Sequence, residues 1–243
     1  MQGEKAVTDN RLLWSCYGWK LSVHVPYLLF VCCALVLCLF LSNWQWQRAT
    51  AADLRYSNYL QQSSLPALDL DEANQNYQKV AITGQIRNHF FLDNQVYQGV
   101  AGWHVLAEVQ THQELILVDL GWQAKNEALT LLEALPKEIE VQGLIKQAEP
   151  GLMLESAAHD PKWPRLLQQI EIPLLNEHFA YELSPFVLHA ETHVAKLIPT
   201  PITLENKYAM HLGYAIQWLL IGCVGFSWFI YLCRQEQTEH ETQ

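Results

Sequence analysis

Five polar or ligand-capable side chains, Glu205, Asn206, Lys207, Tyr208 and His211, crowd the approach to residues 212–233, a run without Asp, Glu, Lys, Arg or His. At a helical rise of about 1.5 Å per residue, that run crosses a hydrocarbon layer of roughly 30 Å. It predicts a transmembrane helix and sets His211 where the helix leaves the membrane. An imidazole at that depth suits two roles. It can anchor the interface by hydrogen bonds to lipid or backbone. Alternatively, its neutral ring can donate to the iron of a haem, whose apolar rim and charged propionates suit a half-inserted position.

Other chemistry is sparse. Of the ten histidines, His89, His104, His112, His159, His178, His189 and His193 are scattered without paired ligand spacing and read as surface or core residues. His189 and His193 stand four apart, but Glu191, Thr192 and an adjacent strand argue against a shared helical face. The chain has no GxSxG elbow, HExxH pair, phosphate loop or dinucleotide glycine pattern, so it is expected not to be an enzyme. Cys16, Cys32, Cys33, Cys38, Cys223 and Cys233 leave residues 44–211 without a thiol. That excludes a disulfide, a thiolate metal site and a thiol-based copper carrier there.

A second apolar run, residues 25–42, carries no charge and tolerates Pro26 in its first helical turn. The plan is therefore a tail (1–24), a transmembrane helix (25–43), a large domain (44–211), a second transmembrane helix (212–233) and a short tail (234–243). Lys5, Arg11 and Lys20 favour cytoplasmic termini, and long loops translocate largely regardless of charge, so the middle domain is exported. A signal peptide cleaved near Ala49-Thr50-Ala51 is the rival reading. The long leading tail, the length of the apolar run and the intervening Trp44, Trp46 and Arg48 favour a retained anchor. Residues 44–211 hold 11 of the 15 Lys and Arg against 20 of the 25 Asp and Glu, a net of −9. That balance argues against nucleic acid and anionic lipid surfaces as partners.

After the first span, good helix formers without Gly or Pro predict that the helix continues for a few turns. Trp44 and Trp46 suit an interfacial aromatic belt, and Arg48 suits a phosphate or another acidic group held at that level. Residues 63–75 read as a loop. Alternation at Val80, Ile82, Gly84 and Ile86, and at Ile139, Val141, Gly143 and Ile145, predicts strands bent at their glycines. Residues 103–110 and 114–122 predict a hairpin, and residues 185–190 a last strand. Residues 125–135 and 163–170 read as helical or loop excursions. The fold class expected is two transmembrane helices flanking an exported α+β domain, dominated by an antiparallel β-sheet or small barrel.

The order of several blocks resembles the Surfeit locus protein 1 family of cytochrome c oxidase assembly factors. The blocks are Trp44-Gln45 with Arg48, residues 80–84, Leu92-Asp93-Asn94, GVAGWHV (99–105), LVDLGW (117–122) and NKYAMHLGYAIQW (206–218). The chain departs from that pattern at Asp119-Leu120, where members have Asn-Arg, at Ala51-Ala52-Asp53 and at Ala209-Met210. The resemblance implies a protein of the bacterial cytoplasmic (cell inner) membrane or the mitochondrial inner membrane, with a periplasmic central domain in the bacterial case. It implies transient binding of haem a and delivery to oxidase subunit I, with subunit I and haem a synthase as partners. The family histidine falls on His211. On that reading His211 ligates iron, Trp44, Trp46, Tyr214 and Trp218 flank the porphyrin, and Arg48 pairs with a propionate. The alternative is a cofactor-free membrane scaffold for oxidase assembly intermediates.

Overall fold

A computed structural model of the chain describes residues 11–16, 19–125, 135–148 and 165–240. In order the elements are β1 (Arg11–Cys16), β2 (Trp19–His24), α1 (Val25–Ser63), a short 3-10 turn (Leu70–Glu72), β3 (Lys79–Tyr97), β4 (Val100–Gln110), β5 (Leu115–Ala124), β6 (Glu138–Gln147), β7 (Leu166–Leu167), α2 (Ile172–Phe179), β8 (Leu183–Ala190) and α3 (Tyr208–His240). They form two compact units, Met1–Arg55 with Glu205–Gln243, and Tyr56–Leu204.

The first unit contains the β1–β2 hairpin, most of α1, and α3. Both long helices are apolar enough to cross a membrane. The only proline in α1 is Pro26, at its second position, where a missing N–H leaves no helical bond unmade. The continuation expected past residue 43 runs to Ser63. It stops shortly before Pro66, whose ring disfavours helix in the residue preceding it. At the start of α3, Asn206 Oδ1 accepts a 2.9 Å bond from the Tyr208 amide, satisfying an otherwise orphaned helical donor.

Among the described residues the second unit is a six-stranded sheet in the order β4–β5–β8–β6–β3–β7. β3 changes partner along its length, pairing with β6 over residues 79–85 and with β4 over residues 85–97. The β3–β4 turn places Gln98 and Gly99 at positive φ, as a two-residue hairpin turn requires. The expected hairpin at residues 103–122 is β4–β5. An antiparallel sheet or small barrel is not what forms: the sheet is mixed, because β8 returns between β5 and β6, parallel to β5 and antiparallel to β6. The excursion expected at 163–170 contains β7, which pairs in parallel with Phe91-Leu92. Most of residues 125–135 lie outside the described residues.

Both faces of the sheet are covered. Val80, Ile82, Val105, Val109, Ile116, Val118 and Leu188 belong to one core; Phe90, Leu106, Leu117 and Val187 pack with Ile172 and Leu175 of α2 in the other. β5 is buried from Leu115 to Gln123, which explains its nearly unbroken apolar run. The strand glycines mark close approaches as well as bends. Gly84 sits where β3 changes partner, and a Cβ there would collide with the Gln110 carbonyl. At Gly143 a Cβ would strike the carbonyl of His189 on β8. Gly143→Val should therefore cost about 1–3 kcal/mol through overpacking. Urea unfolding of the full-length protein in mild detergent should show a lowered midpoint. Gly225→Ala, whose added Cβ meets nothing within 4 Å, should leave that midpoint unchanged.

Candidate functional site

Cys38, Ser42, Gln45, Ala49 and Ala52 recur on α1 at alternating spacings of four and three, and are its buried or half-buried stripe. The facing stripe on α3 is His211, Ala215, Trp218 and Gly222. Both have a seven-residue period, the pattern of two helices packed along a seam. Ser42 Oγ donates to the Ala215 carbonyl at 2.9 Å, and a Cβ on Gly222 would sit 3.3 Å from Cys38 Cβ. Asn206 Nδ2 donates to Asp53 Oδ1 at 3.3 Å. Residues 38, 42 and 53 thus meet 222, 215 and 206, so the helices run antiparallel.

His211 enters this seam. Its Nδ1 lies 2.9 Å from Gln45 Oε1, while Nε2 has no hydrogen bond among the described residues. The ring is half-buried. Nδ1 is engaged and Nε2 available, the arrangement that imidazole metal ligands commonly adopt.

The remaining site residues separate by helical angle. At about 100° per residue, Trp44 and Trp46 fall on opposite flanks of Gln45. Arg48 joins Trp44, its guanidinium carbon 5.4 Å from the Trp44 ring centroid. Tyr214 leaves α3 on that same flank of the antiparallel pair. Trp44, Trp46, Arg48 and Tyr214 are exposed, whereas Trp218 is half-buried in the seam. One flank therefore gathers Trp44, Arg48 and Tyr214 beside His211, and Trp46 lies across from them.

A second polar cluster, in the sheet, was not visible in the sequence. Asp119 of β5 is buried; its Oδ2 accepts from His104 Nδ1 of β4 at 2.6 Å and lies 3.3 Å, an ion-pair distance, from His189 Nδ1 of β8. Its Oδ1 accepts from the Gly121 amide at 3.0 Å. Burial pushes the Asp119 carboxyl up, but the hydrogen bonds and positive charge of the two imidazoles outweigh it and hold the pKa at about 2. His104 and His189 are thus core partners of a carboxylate, and no cluster of three or more His, Cys, Asp or Glu suited to a metal exists among the described residues. Nearby motif residues also have structural work. Asp93 accepts from Trp103 Nε1 at 3.1 Å and from Lys125 Nζ at 2.7 Å, and the Trp122 ring lies tilted against Tyr97, their centroids 5.4 Å apart.

Residues 32–223 match the model of the SURF1 family, a span that includes both stripes of the helical seam and the sheet. No curated protein matches the chain. Two outcomes follow from the Asp119 cluster. His104→Ala strips a buried carboxylate of its closest partner and should cost about 3–5 kcal/mol in chemical unfolding. Because the folded pKa of Asp119 lies below its ordinary 3.8, its stabilisation is present above that value and is lost as pH falls through about 2. Acid unfolding followed by circular dichroism should therefore lose part of its pH dependence in that window in Asp119→Asn.

Proposed function

We propose that this chain, which belongs to the SURF1 family, holds haem a transiently and hands it to subunit I of cytochrome c oxidase. The family is associated with cytochrome oxidase assembly. In this reading α1 and α3 anchor the chain in the cell inner membrane, the sheet domain is periplasmic, and the protein is a carrier rather than an enzyme. Haem a synthase is the source and subunit I the destination.

The observation that supports the reading most is His211 Nε2, which has no hydrogen bond among the described residues, on a ring held through Nδ1 by Gln45. That donor set fits haem: neutral imidazole is a common axial ligand. Arg48 supplies a cation for a propionate, and the exposed rings of Trp44 and Tyr214 supply apolar faces on the same flank. Trp46, on the other flank, belongs to the interfacial belt instead. Haem a brings the redox iron that the oxidase needs, while this chain's residues bind, orient and release it. A single strong protein bond suits a carrier, since release is part of its task.

The test is purification in mild detergent from cells that make haem a. Wild-type protein should carry a Soret band, and His211→Ala should lose it while keeping the far-ultraviolet circular dichroism of the parent. A colourless wild-type protein that still copurifies with subunit I or haem a synthase would overturn the carrier role in favour of a cofactor-free scaffold.

A further inference from the structure

The hydrogen bond from His211 has a direction fixed by chemistry. A carboxamide oxygen only accepts, so Nδ1, 2.9 Å from Gln45 Oε1, must carry the ring proton and Nε2 must keep its lone pair. A free histidine side chain in water prefers the opposite tautomer, with the proton on Nε2 and that nitrogen closed to a metal. We propose that Gln45 is the positioning residue of the site: it selects the Nδ1–H tautomer of His211 and sets the angle at which Nε2 meets haem iron. The role in haem binding rests on the function proposed above, whereas the tautomer does not.

The seat of Gln45 is set by the helix seam. One turn earlier, Ser42 donates to the Ala215 carbonyl; one turn later, Ala49 is only 1% exposed. Two turns beyond Gln45, Asp53 receives Asn206 at 3.3 Å. These contacts fix the height and rotation of α1 against α3, and the amide faces the ring with no second hydrogen bond among the described residues. The choice of an amide also matters. A carboxylate in that place would draw the Nδ1 proton and make Nε2 a stronger donor, whereas a neutral acceptor orients the ring with less strengthening. An uncharged orienting group therefore suits a ligand that must later let go.

Nitrogen-15 NMR of the histidine-labelled, haem-free, full-length protein in detergent micelles tests this directly, with the His211 signals assigned by their loss in His211→Gln. The wild type should show the Nδ1–H tautomer, and Gln45→Leu, of similar size but without an acceptor, should shift His211 to Nε2–H. A wild type already in the Nε2–H form, or a Gln45→Leu spectrum unchanged from it, overturns the proposal. Haem titration of the same samples is the second readout. Gln45→Leu should bind about 10–100-fold more weakly, and Gln45→Glu should restore the tautomer and bind more tightly than wild type. Equal haem affinity in wild type and Gln45→Leu also overturns the positioning role. If the tautomer responds as expected while the wild type takes up no haem, Gln45 still orients His211, and the carrier function is what fails.

Discussion

The close antiparallel contact of α1 with α3 is the constraint on which the site depends. Both helices are long and apolar enough to cross a membrane, and in hydrocarbon such helices would gain nothing from burying apolar surface against each other, so that packing and side-chain hydrogen bonds would hold them. Here the most deeply buried packing residues near the site are small: Ala49, Ala52, Ala215 and Gly222. Their size lets the helices approach until Ser42 reaches the Ala215 carbonyl and Gln45 reaches His211. A bulky side chain at Ala49 would separate the helices one turn from the imidazole, and the ring would lose its partner without being touched itself.

The sheet domain solves a different problem. It buries charge, and each burial is answered locally. Asp119 lies among apolar neighbours, answered by His104, His189 and the Gly121 amide. Glu108, fully buried, accepts from Asn88 at 2.6 Å and from the Tyr181 hydroxyl. Burial and the nearby Glu108 both push the Tyr181 hydroxyl well above its ordinary range, so it stays a donor. The paired histidines show how this chain accommodates a carboxylate at position 119. Most family-like blocks thus build the sheet, and two of them, Trp44-Gln45 with Arg48 and NKYAMHLGYAIQW, build the seam.

Much of this was legible in the sequence because it depends on local pattern. The two uncharged runs, the helix continuing past residue 43, the strands at Val80 and Ile139 and the β4–β5 hairpin follow from periodicity and from where glycine and proline fall. What escaped reading depends on residues far apart in the chain. Nothing near Gln45 announces His211, and nothing near Asp119 announces His104 or His189, since each contact exists only once the helices or strands are side by side. The parallel β5–β8 pair escaped for the same reason: strand direction is settled by how the chain returns, and residues 185–190 read alike in either direction. Trp44 and Trp46 look equivalent in sequence, yet the helical period divides them.

The proposed carrier role requires one bond, from His211 Nε2 to iron. Resonance Raman spectroscopy of the reduced, haem-loaded protein measures that bond through the iron–histidine stretching band. The band should be present in the wild type, absent in His211→Gly, and restored when imidazole is added to the variant. A band that survives unchanged in His211→Gly without added imidazole would place the ligand elsewhere and contradict the account.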